Sequence, residues 1–429
     1  MKTLIISHNP ISTYQDMGKT MLTLFEGFDS KELCQLYIYP SVPDTDKCGS
    51  YFRITDKDIL RSYYKFKVCS EEIKPCAETH EMFADANDER IYRSTKNRRS
   101  SRKLARDLMW KCSHWYNKKL KEWLDKENPE CIFVAPGAAK FIYDISLKIS
   151  RKRNIPIVAY VCDDFYFVKK ADGGLARLQQ RLLHKKMKKL FAQTSHIITI
   201  CDELKERYSQ EFAVPATTIM TGTSRPIAEE CKTVVEPRSI TYMGNIRCNR
   251  YVSLASIGRA LDKINEEEGA DYSLKIYSSE KDATILSAFD GIDAVSFCGY
   301  VGGEEFEKTF LSSDLLLHTE AFDEKSIDMV KLSVSTKIAD CLGSGIPLVA
   351  YGPECVASMR HLVDNNCAIT ITSEEDLCSM LKRVFSDSVM RRSVVESALQ
   401  VARKCHVSGT NSRRVSEIIN DVTFRNALN

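Results

Sequence analysis

Short apolar runs alternate with amphipathic stretches along most of the chain. TLIISH (3–8), ECIFVA (130–135), IPIVAYV (155–161) and HIITI (196–200) have the length of strands, and a helix-like segment follows each of them. Continuous apolar runs are typical of parallel strands, because helices cover both faces of such a sheet. The first half of the chain therefore predicts an α/β domain.

The same alternation begins again after a segment rich in proline and charge (223–237), which we interpret as a linker. The later strand-like runs are 239–246, 272–278, 294–300, 314–318, 346–352 and 367–371. From residue 377 onward the pattern predicts only helices. This repetition predicts two doubly wound Rossmann-like α/β domains that face a cleft, followed by C-terminal helices.

The predicted boundaries divide the chain into three parts. Residues 1–225 form an amino-terminal Rossmann-like domain, and residues 226–405 form a carboxyl-terminal Rossmann-like domain. Residues 406–429 form a helix that packs back on the amino-terminal domain. In doubly wound sheets, ligands bind at the carboxyl ends of the strands, so the loops after the strands are where we expect functional residues.

Composition narrows the class of protein. With 43% hydrophobic and 28% charged residues, the chain has the balance of a globular protein and not of a disordered one. It contains no apolar run of about 18 residues, and the apolar stretch at its N-terminus is too short for a signal sequence. None of the 16 cysteines has a partner across a two-residue gap, so we expect reduced thiols in a cytoplasmic protein.

Two basic segments stand out against a net charge of +3. Residues 93–123 contain eleven Lys/Arg and two acids, and residues 177–191 contain six Lys/Arg and no acid. Both carry apolar residues at helical spacing: Leu104, Leu108, Trp115 and Trp123, and Leu182, Leu183, Met187, Leu190 and Phe191. These segments predict peripheral contact with an anionic membrane or, alternatively, solvated faces over packed stripes. Because no recognised nucleic-acid module surrounds them, we expect no nucleic-acid partner.

The most informative stretch for chemistry lies within 315–354. A predicted strand and a polar loop lead to a helix start that carries Ser335, Thr336 and Lys337. Free amide groups, the positive end of the helix dipole and a lysine together favour binding of a phosphate. Asp340 follows one turn later on the same face, which suits hydrogen bonds from ribose hydroxyls. The alternative is a capped helix with a solvated lysine.

A second polar cluster follows the predicted strand at 155–161. Asp163 and Asp164 lie at the end of this strand, where carboxylates can orient an acceptor hydroxyl or act as a base. The alternative is a cap of a loop or helix. The pair lacks the intervening residue of an Asp-x-Asp metal motif.

Four segments in order carry a family resemblance. STKIADCLGSGIPLVAYGPE (335–354) resembles the carboxyl-domain signature of GT-B fold glycosyltransferases, in particular the family 4-like bacterial enzymes of surface-polysaccharide assembly. YMGNIRCNR (242–250), CGYVGGEEFEKTFLSSDLLLHTE (298–320) and HIITICDELKERYSQEFAVPATTIMTG (196–222) are similar to other parts of these enzymes. The four lie between residues 196 and 354, in the order expected for these enzymes.

The resemblance assigns residues to the donor diphosphate. Arg247 and Arg250 match the family's basic pair, although its usual Gly-Arg start is Gly244-Asn245 here and its lysine is an arginine. An arginine still offers phosphate oxygens a forked, permanent cation. Gly18 matches the glycine in the loop after the first strand, which lets the amino-domain backbone approach the diphosphate.

The resemblance also assigns residues to the sugar, ribose and base of the donor. Glu320 aligns with the first of two spaced acids near the donor sugar, and Asp340 aligns with the second, which binds ribose. The gap between them is longer than the family's seven residues, and the second acid is Asp where the family has Glu. Tyr300 and Val301 would present backbone groups to the base, with Gly299 permitting the close turn.

The family implies a hexosyl- or related glycosyltransferase, in which residues 1–225 would bind the acceptor and residues 226–405 would bind the nucleotide sugar. It would move a sugar from a UDP- or GDP-sugar, its substrate, to a saccharide or lipid-linked acceptor, with retention, in cell-surface polysaccharide synthesis. No cofactor and no metal are expected. The predicted location is the cytoplasm, at the inner face of the plasma membrane.

Three alternatives stay open at this point. One is an inverting enzyme that uses Asp163 or Asp164 as its base. Another is a non-catalytic sugar-nucleotide-binding or assembly subunit, which the departures from the family pattern allow. A sugar-nucleotide epimerase shares the same architecture.

Overall fold

The computed structural model describes residues 1–13, 16–65, 70–76, 100–168, 172–223, 225–232 and 236–428. It divides into two compact units. The amino unit comprises Met1–Thr221 with Ser408–Asn429, and the carboxyl unit comprises Gly222–Val407. The amino unit is therefore discontinuous in sequence, and its divisions lie within a few residues of the predicted domain boundaries.

The amino unit contains a large sheet with helices between its strands. Its strands are β1 (Thr3–Ser7), β2 (Leu33–Tyr37), β3 (Ser50–Arg53), β4 (Glu71–Ile73), β5 (Cys131–Val134), β6 (Ile157–Val161), β7 (Thr194–Thr199) and β8 (Ala216–Thr218). Its first helices are α1 (Asp16–Leu24), α2 (Asp56–Lys65), α3 (Ser100–Cys112), α4 (Lys118–Glu127), α5 (Lys140–Arg153), α6 (Gly174–Phe191) and α7 (Asp202–Phe212). The strand order is β4-β3-β2-β1-β5-β6-β7-β8, and β4 pairs antiparallel to β3 while the other pairs are parallel.

The carboxyl unit repeats the arrangement in a smaller sheet. Its strands are β9 (Ser239–Met243), β10 (Ser273–Tyr277), β11 (Val295–Gly299), β12 (Leu315–Thr319), β13 (Leu348–Tyr351) and β14 (Ile369–Ile371). Its helices are α8 (Arg250–Glu268), α9 (Ala283–Leu286), α10 (Gly303–Leu311), α11 (Glu324–Val330), α12 (Lys337–Gly343), α13 (Ala357–Asp364), α14 (Leu377–Ser386) and α15 (Ser388–Cys405). The order β11-β10-β9-β12-β13-β14 is the doubly wound order, with all pairs parallel. The predicted fold class is confirmed in both units.

Local sequence explains the tight return from helix to strand. Helices α4 and α5 end at Asn128 and Asn154, which take left-handed φ angles of 43° and 54°. Asparagine tolerates this conformation because its short polar side chain bonds locally. The chain therefore turns within a few residues into β5 and β6, whose residues are buried on both faces of the sheet.

The last helix, α16 (Ser408–Leu428), belongs to the amino unit. It packs on α1, where the Ser412 hydroxyl accepts the Gly27 N–H at 3.0 Å. Its buried Val415, Ile419 and Val422 join the apolar core that covers one face of the β1–β7 region. Without α16 that part of the core would be open to water.

The basic segments have their apolar residues on different sides of the fold. Residues 93–99 lie outside the described residues. Of the apolar residues in the first segment, Trp115 and Trp123 are buried, whereas Leu108 is 60% exposed. In the second segment Met187 is buried and Leu182 is exposed, so α6 has apolar residues on both its inner and its outer face. Among the described residues, no helix combines the length and apolar character needed to span a membrane.

Candidate functional site

The order of strands in the carboxyl unit reverses between β9 and β12, which are neighbours in the sheet. At such a point the helices that follow the two strands lie on opposite faces, which leaves a crevice at the carboxyl ends of the strands. The loops at 244–249 and 320–323 and the start of α12 carry most of the residues that the sequence predicts for the donor.

The turn after β9 holds the side chain of Lys337 close to the backbone. Gly244 has a φ angle of 151°, a conformation that residues with a Cβ rarely adopt. A Cβ added there would overlap the Lys337 Nζ and lie 2.6 Å from its Cε. The same Nζ lies 5.5 Å from the centre of the Tyr242 ring. The glycine is therefore required for the position of the lysine, and the two predicted residues form one feature.

Arg250 and Glu320 form a forked ion pair at the start of α8. The Nε of Arg250 donates to one Glu320 oxygen at 2.9 Å, and its Nη2 donates to the other at 3.1 Å. Glu320 is only 2% exposed, and its backbone oxygen accepts the Ser253 hydroxyl at 2.9 Å. Burial raises the pKa of Glu320, although Arg250 and Lys337 oppose the shift. The structure thus brings Glu320, Arg250 and Lys337 together.

His318 is a neighbour of this pair that the sequence reasoning missed. Its Nε2 lies 3.6 Å from a Glu320 oxygen and has no hydrogen-bond partner among the described residues. Burial, together with the positive charges of Arg250 and Lys337, lowers the pKa of His318 to about 3. The imidazole is therefore neutral at pH 7. The available signal was a single polar residue in the apolar run LLLH, two positions before Glu320.

The other predicted arginine also has a carboxylate partner. Arg247 donates from Nε to Glu280 at 2.6 Å and from Nη2 at 3.1 Å. The Arg247 guanidinium lowers the pKa of Glu280 to about 2. Glu280 follows β10, so this pair links the loops after two neighbouring strands. Both arginines predicted for the diphosphate are thus paired with acids in the structure.

The predicted helix start at Ser335 is displaced by two residues. Helix α12 begins at Lys337, and Thr336 is its N-terminal flanking residue without a side-chain cap. The backbone N–H of Ser335 donates to the Ser358 hydroxyl at 3.0 Å, which fixes the turn that leads into the helix. Amides in the first turn of a helix have no acceptor within the helix. The binding of an anion at this helix start stays a prediction.

Asp340 is bound by the segment that opens the carboxyl unit. The Thr223 hydroxyl donates to one oxygen at 2.7 Å, and Arg225 contacts the other at 2.9 Å through Nη1. Arg225 also forms a forked pair with Glu307 at 2.8 and 2.7 Å. Sequence reasoning placed Thr223 and Arg225 in a linker and missed them as partners. Contact of Asp340 with ribose stays a prediction.

Tyr300 and Val301 follow the edge strand β11. Tyr300 is 75% exposed, and Gly299 before it has a φ angle of 74°. The Tyr300 hydroxyl lies over Gly302, where an added Cβ would be 2.8 Å from it. The close turn that was predicted for this segment is present, while its contact with a base stays a prediction.

In the amino unit, Gly18 does not lie in the loop after β1 as the sequence predicted. It lies inside α1, where an added Cβ would be 2.5 Å from the Pro10 carbonyl oxygen and 2.9 Å from the Ser12 nitrogen. The glycine therefore lets the loop close on its own helix. The error arose because the helix begins two residues earlier than Gly18.

Asp163 and Asp164 follow β6 and differ in their surroundings. One oxygen of Asp164 accepts the N–H groups of Tyr166 and Phe167 at 2.8 and 2.9 Å and the Tyr208 hydroxyl at 3.0 Å. These contacts correspond to the loop cap that was the alternative for Asp164. Asp163 is exposed, and its Oδ2 lies 3.9 Å from the Cys162 Sγ. Of the pair, Asp163 is the more exposed residue.

The described residues contain no group of three His, Cys, Asp or Glu side chains placed to bind a metal ion. The charges at the β9–β12 crevice come from Lys337, Arg247 and Arg250 and from the acids that face them. This arrangement can bind an anion and place a buried carboxyl group beside it.

Comparison with solved structures extends the likeness to the whole chain. Anabaena HepE in complex with UDP matches with a TM-score of 0.64 and 9% identity over 98% of this chain and 100% of that one. Sucrose-phosphate synthase from Thermosynechococcus elongatus matches with a TM-score of 0.59 and 11% identity over 98% and 99%. Trehalose 6-phosphate synthase from Burkholderia multivorans matches with a TM-score of 0.60 and 11% identity over 100% and 98%.

No protein-family model and no curated protein sequence matches the chain. The identities to the solved structures are about 10%, so the likeness establishes the fold. With two Rossmann-like units and these structural neighbours, the chain has the GT-B fold that its motifs predict.

Proposed function

We propose that the protein is a glycosyltransferase that uses a nucleotide-sugar donor. The observation that carries the proposal is the fit of Lys337 over Gly244 at the start of α12, beside the buried Glu320. This feature lies at the strand reversal of a Rossmann-like unit, the position where such sheets bind nucleotides. HepE, which has a similar fold, was solved in complex with UDP. This supports a UDP-sugar over a GDP-sugar as the donor.

The donor diphosphate would contact Lys337 and the first amides of α12. An ammonium and a helix N-terminus both favour a doubly charged phosphate group. Arg247 would join them by exchanging its Glu280 partner for phosphate oxygens, since it is exposed. Arg250 would instead position Glu320, because the guanidinium fork is fully used by that carboxyl group.

Transfer needs stabilisation of the charge that develops as the sugar leaves. When the bond between the anomeric carbon and the diphosphate breaks, negative charge collects on the phosphate oxygens next to Lys337. Fixed cations and dipoles at that point lower the barrier, and one such group is worth about a hundredfold or more in rate. Glu320 would contact the donor sugar and Asp340 the ribose, as the family 4-like pattern implies. That pattern also implies retention, with the leaving phosphate assisting removal of the acceptor proton.

The acceptor would bind in the amino unit near Asp163. We propose a saccharide or lipid-linked acceptor and a role in cell-surface polysaccharide synthesis, in the cytoplasm at the inner face of the plasma membrane. An inverting reaction with Asp163 as the base is the alternative within this function. Its accessibility supports Asp163 over the loop-capping Asp164.

Donor binding and turnover test the proposal. A thermal-shift screen with UDP- and GDP-sugars identifies the donor, because a ligand of the folded state raises its apparent stability. With that donor, we expect Lys337→Ala to reduce turnover by about a hundredfold or more. Lys325→Ala is the matched control, since Lys325 is exposed on α11 of the same unit. Wild-type turnover in Lys337→Ala contradicts the site, and the NMR spectrum of the product separates retention from inversion.

A second function, a non-catalytic sugar-nucleotide-binding subunit, is favoured by one observation. Both arginines predicted for the diphosphate are paired with acids, Arg247 with Glu280 and Arg250 with Glu320. A protein that binds the donor but neither hydrolyses it nor transfers its sugar to any acceptor extract would support this function.

A further inference from the structure

Helices α3 and α6 lie side by side on the amino unit. Lys140, at the start of α5, joins them: its ammonium contacts Asp107 of α3 at 2.5 Å and Gln179 of α6 at 2.9 Å. The two basic segments that are separate in sequence therefore contribute to one surface. We call the outward faces of these two helices the α3–α6 surface.

The surface has a strong excess of positive charge. Helix α3 carries four Lys/Arg and one acid, Asp107, and α6 carries six Lys/Arg and no acid, so the net charge of the two helices is 4 − 1 + 6 = +9. The carboxylate of Asp107 already forms an ion pair with the ammonium of Lys140. Arg181, Lys185 and Lys189 of α6 form no salt bridge with any residue that the structure describes. The charge of these three side chains is available to an external anion.

Leucines line the outward face of α6 beside the cations. Leu175, Leu178 and Leu182 are 52%, 44% and 37% exposed, and their spacing of three and four residues places them on one stripe. This stripe is separate from the one that packs in the core, since Met187 and Leu190 are buried. Leu108 of the neighbouring α3 is 60% exposed. Exposed apolar residues grouped in this way are typical of a surface that contacts a partner or a membrane.

A groove beside the stripe offers room for a phosphate headgroup. It has a volume of about 530 Å³ and lies along the second half of α6. Its lining residues are Tyr166, Arg181, His184, Lys185, Lys188, Lys189 and Ala192. Four of these are Lys or Arg, and Lys188 is the one that has an acid, Glu211, at 3.6 Å. The groove is therefore suited to an anionic group.

We propose that the α3–α6 surface docks on a bilayer that contains anionic lipids. The leucines would enter the boundary between headgroups and acyl chains, and the cations would bind the headgroups, each adding attraction near the surface. A second copy of the chain is a poor occupant, because two surfaces that both carry an excess of positive charge repel each other. A nucleic acid would use the cations and leave the leucines exposed to water.

The position of the leucine stripe connects docking with the proposed acceptor site. Helix α6 begins after the loop that follows β6, so its leucine-bearing first half lies toward the carboxyl edge of the amino sheet. That edge carries Asp163, where the acceptor is proposed to bind. Docking would bring the edge to the membrane surface. The docking itself does not depend on sugar transfer, because it can be measured without donor or acceptor.

Co-sedimentation of the full chain with vesicles tests the proposal. We expect binding to phosphatidylcholine vesicles that contain about one third phosphatidylglycerol, and none to phosphatidylcholine alone. The variant R181Q/K185Q/K189Q should bind the anionic vesicles about a hundredfold more weakly, since each of the three cations contributes about fivefold. The variant L175Q/L178Q/L182Q should lose at least about tenfold, because its apolar contact is removed.

Two control variants carry matched changes elsewhere. L311Q/M329Q replaces apolar side chains of the carboxyl unit that are 53% and 52% exposed. K275Q/K308Q/K404Q removes three exposed lysines of the carboxyl unit. Both should bind as the wild type does, and circular dichroism should show all four variants folded.

The proposal is overturned if the wild type does not sediment with anionic vesicles, if it binds neutral vesicles equally well, or if the control variants lose as much binding as the test variants. It is also overturned if the wild type binds duplex RNA more tightly than vesicles and L175Q/L178Q/L182Q binds that RNA equally well. A wild-type dimer in analytical ultracentrifugation that L175Q/L178Q/L182Q makes monomeric would assign the surface to a second copy. Failure of vesicle binding with normal donor turnover would leave the proposed enzymatic function untouched.

Discussion

Replacing Gly244 with alanine tests the fit between the turn after β9 and the ammonium of Lys337. At a φ angle of 151° a residue with a Cβ is strained by about 1–3 kcal/mol. The new Cβ would also overlap the Nζ and lie 2.6 Å from the Cε of Lys337. Since a lysine side chain is more flexible than the backbone, we expect it to move away. The strain then lowers stability, and the displaced lysine lowers donor binding.

The binding loss follows from the contact that the lysine would make. A hydrogen bond to a charged group contributes about 1.5–3 kcal/mol, which corresponds to roughly tenfold to a hundredfold in Kd. Isothermal titration with UDP measures this for the wild type, Gly244→Ala, Lys337→Ala and the double variant. If the glycine acts through the lysine, the double variant binds no more weakly than Lys337→Ala.

Gly269→Ala is the control for backbone strain. Gly269 has a φ angle of 64° and no atom within 4 Å of an added Cβ, so its replacement brings strain without collision. We expect a small loss of stability and unchanged UDP binding. Two results would refute the reasoning: wild-type affinity in Gly244→Ala, or losses from Gly244→Ala and Lys337→Ala that simply add.

Three further predictions concern the charges around the same crevice. Arg250→Met leaves the 2%-exposed Glu320 without its partner, so we expect urea titration to show a loss of about 3 kcal/mol in the free energy of unfolding. Adding Glu320→Gln should restore part of this loss. An unchanged midpoint in Arg250→Met contradicts the prediction. The pKa of His318 is about 3 in the folded protein and 6.5 ordinarily, so below pH 6.5 the imidazole is protonated in the unfolded chain but not in the folded one. The free energy of unfolding should therefore be about 2 kcal/mol lower at pH 5 than at pH 7. His318→Gln should flatten this dependence in urea titrations at the two pH values, and equal slopes would show that His318 is not responsible. Glu280→Gln frees Arg247, so UDP should bind a few-fold tighter in isothermal titration; an unchanged Kd would mean that Arg247 does not reach the diphosphate.

The fold was predictable because its signals are local. Continuous apolar runs marked all six strands that the structure describes in the carboxyl sheet and four of the eight in the amino sheet. The strands β2, β3, β4 and β8 were missed, because each of them is short or contains polar residues. Proline with charge marked the passage between the two units. The start of α12 was predicted within two residues, since its hydroxyl residues and lysine precede an apolar helix. Gly18 was placed in a loop by the family resemblance, and only the approach of Pro10 in the structure shows its role.

The partners of the candidate residues were not predictable for a different reason. Glu280 is 33 residues from Arg247, and Glu320 is 70 residues from Arg250, so no spacing rule connects them. Thr223 approaches Asp340 across 117 residues. Parallel sheets bring together loops that are far apart in sequence, which makes ion pairs between those loops a property of topology. His318 was visible as a polar residue in an apolar strand, but its neutrality depends on cations that the strand does not contain.

The discontinuity of the amino unit has a consequence for synthesis on the ribosome. Residues 222–407, the entire carboxyl unit, emerge before Ser408, where α16 begins. The carboxyl unit can therefore complete its core first. The amino unit is synthesised earlier, but the part of its core that Val415, Ile419 and Val422 cover stays exposed until α16 has been made. A chain halted on the ribosome near Ser408 would have its carboxyl unit folded, while its amino unit would present an apolar surface to chaperones.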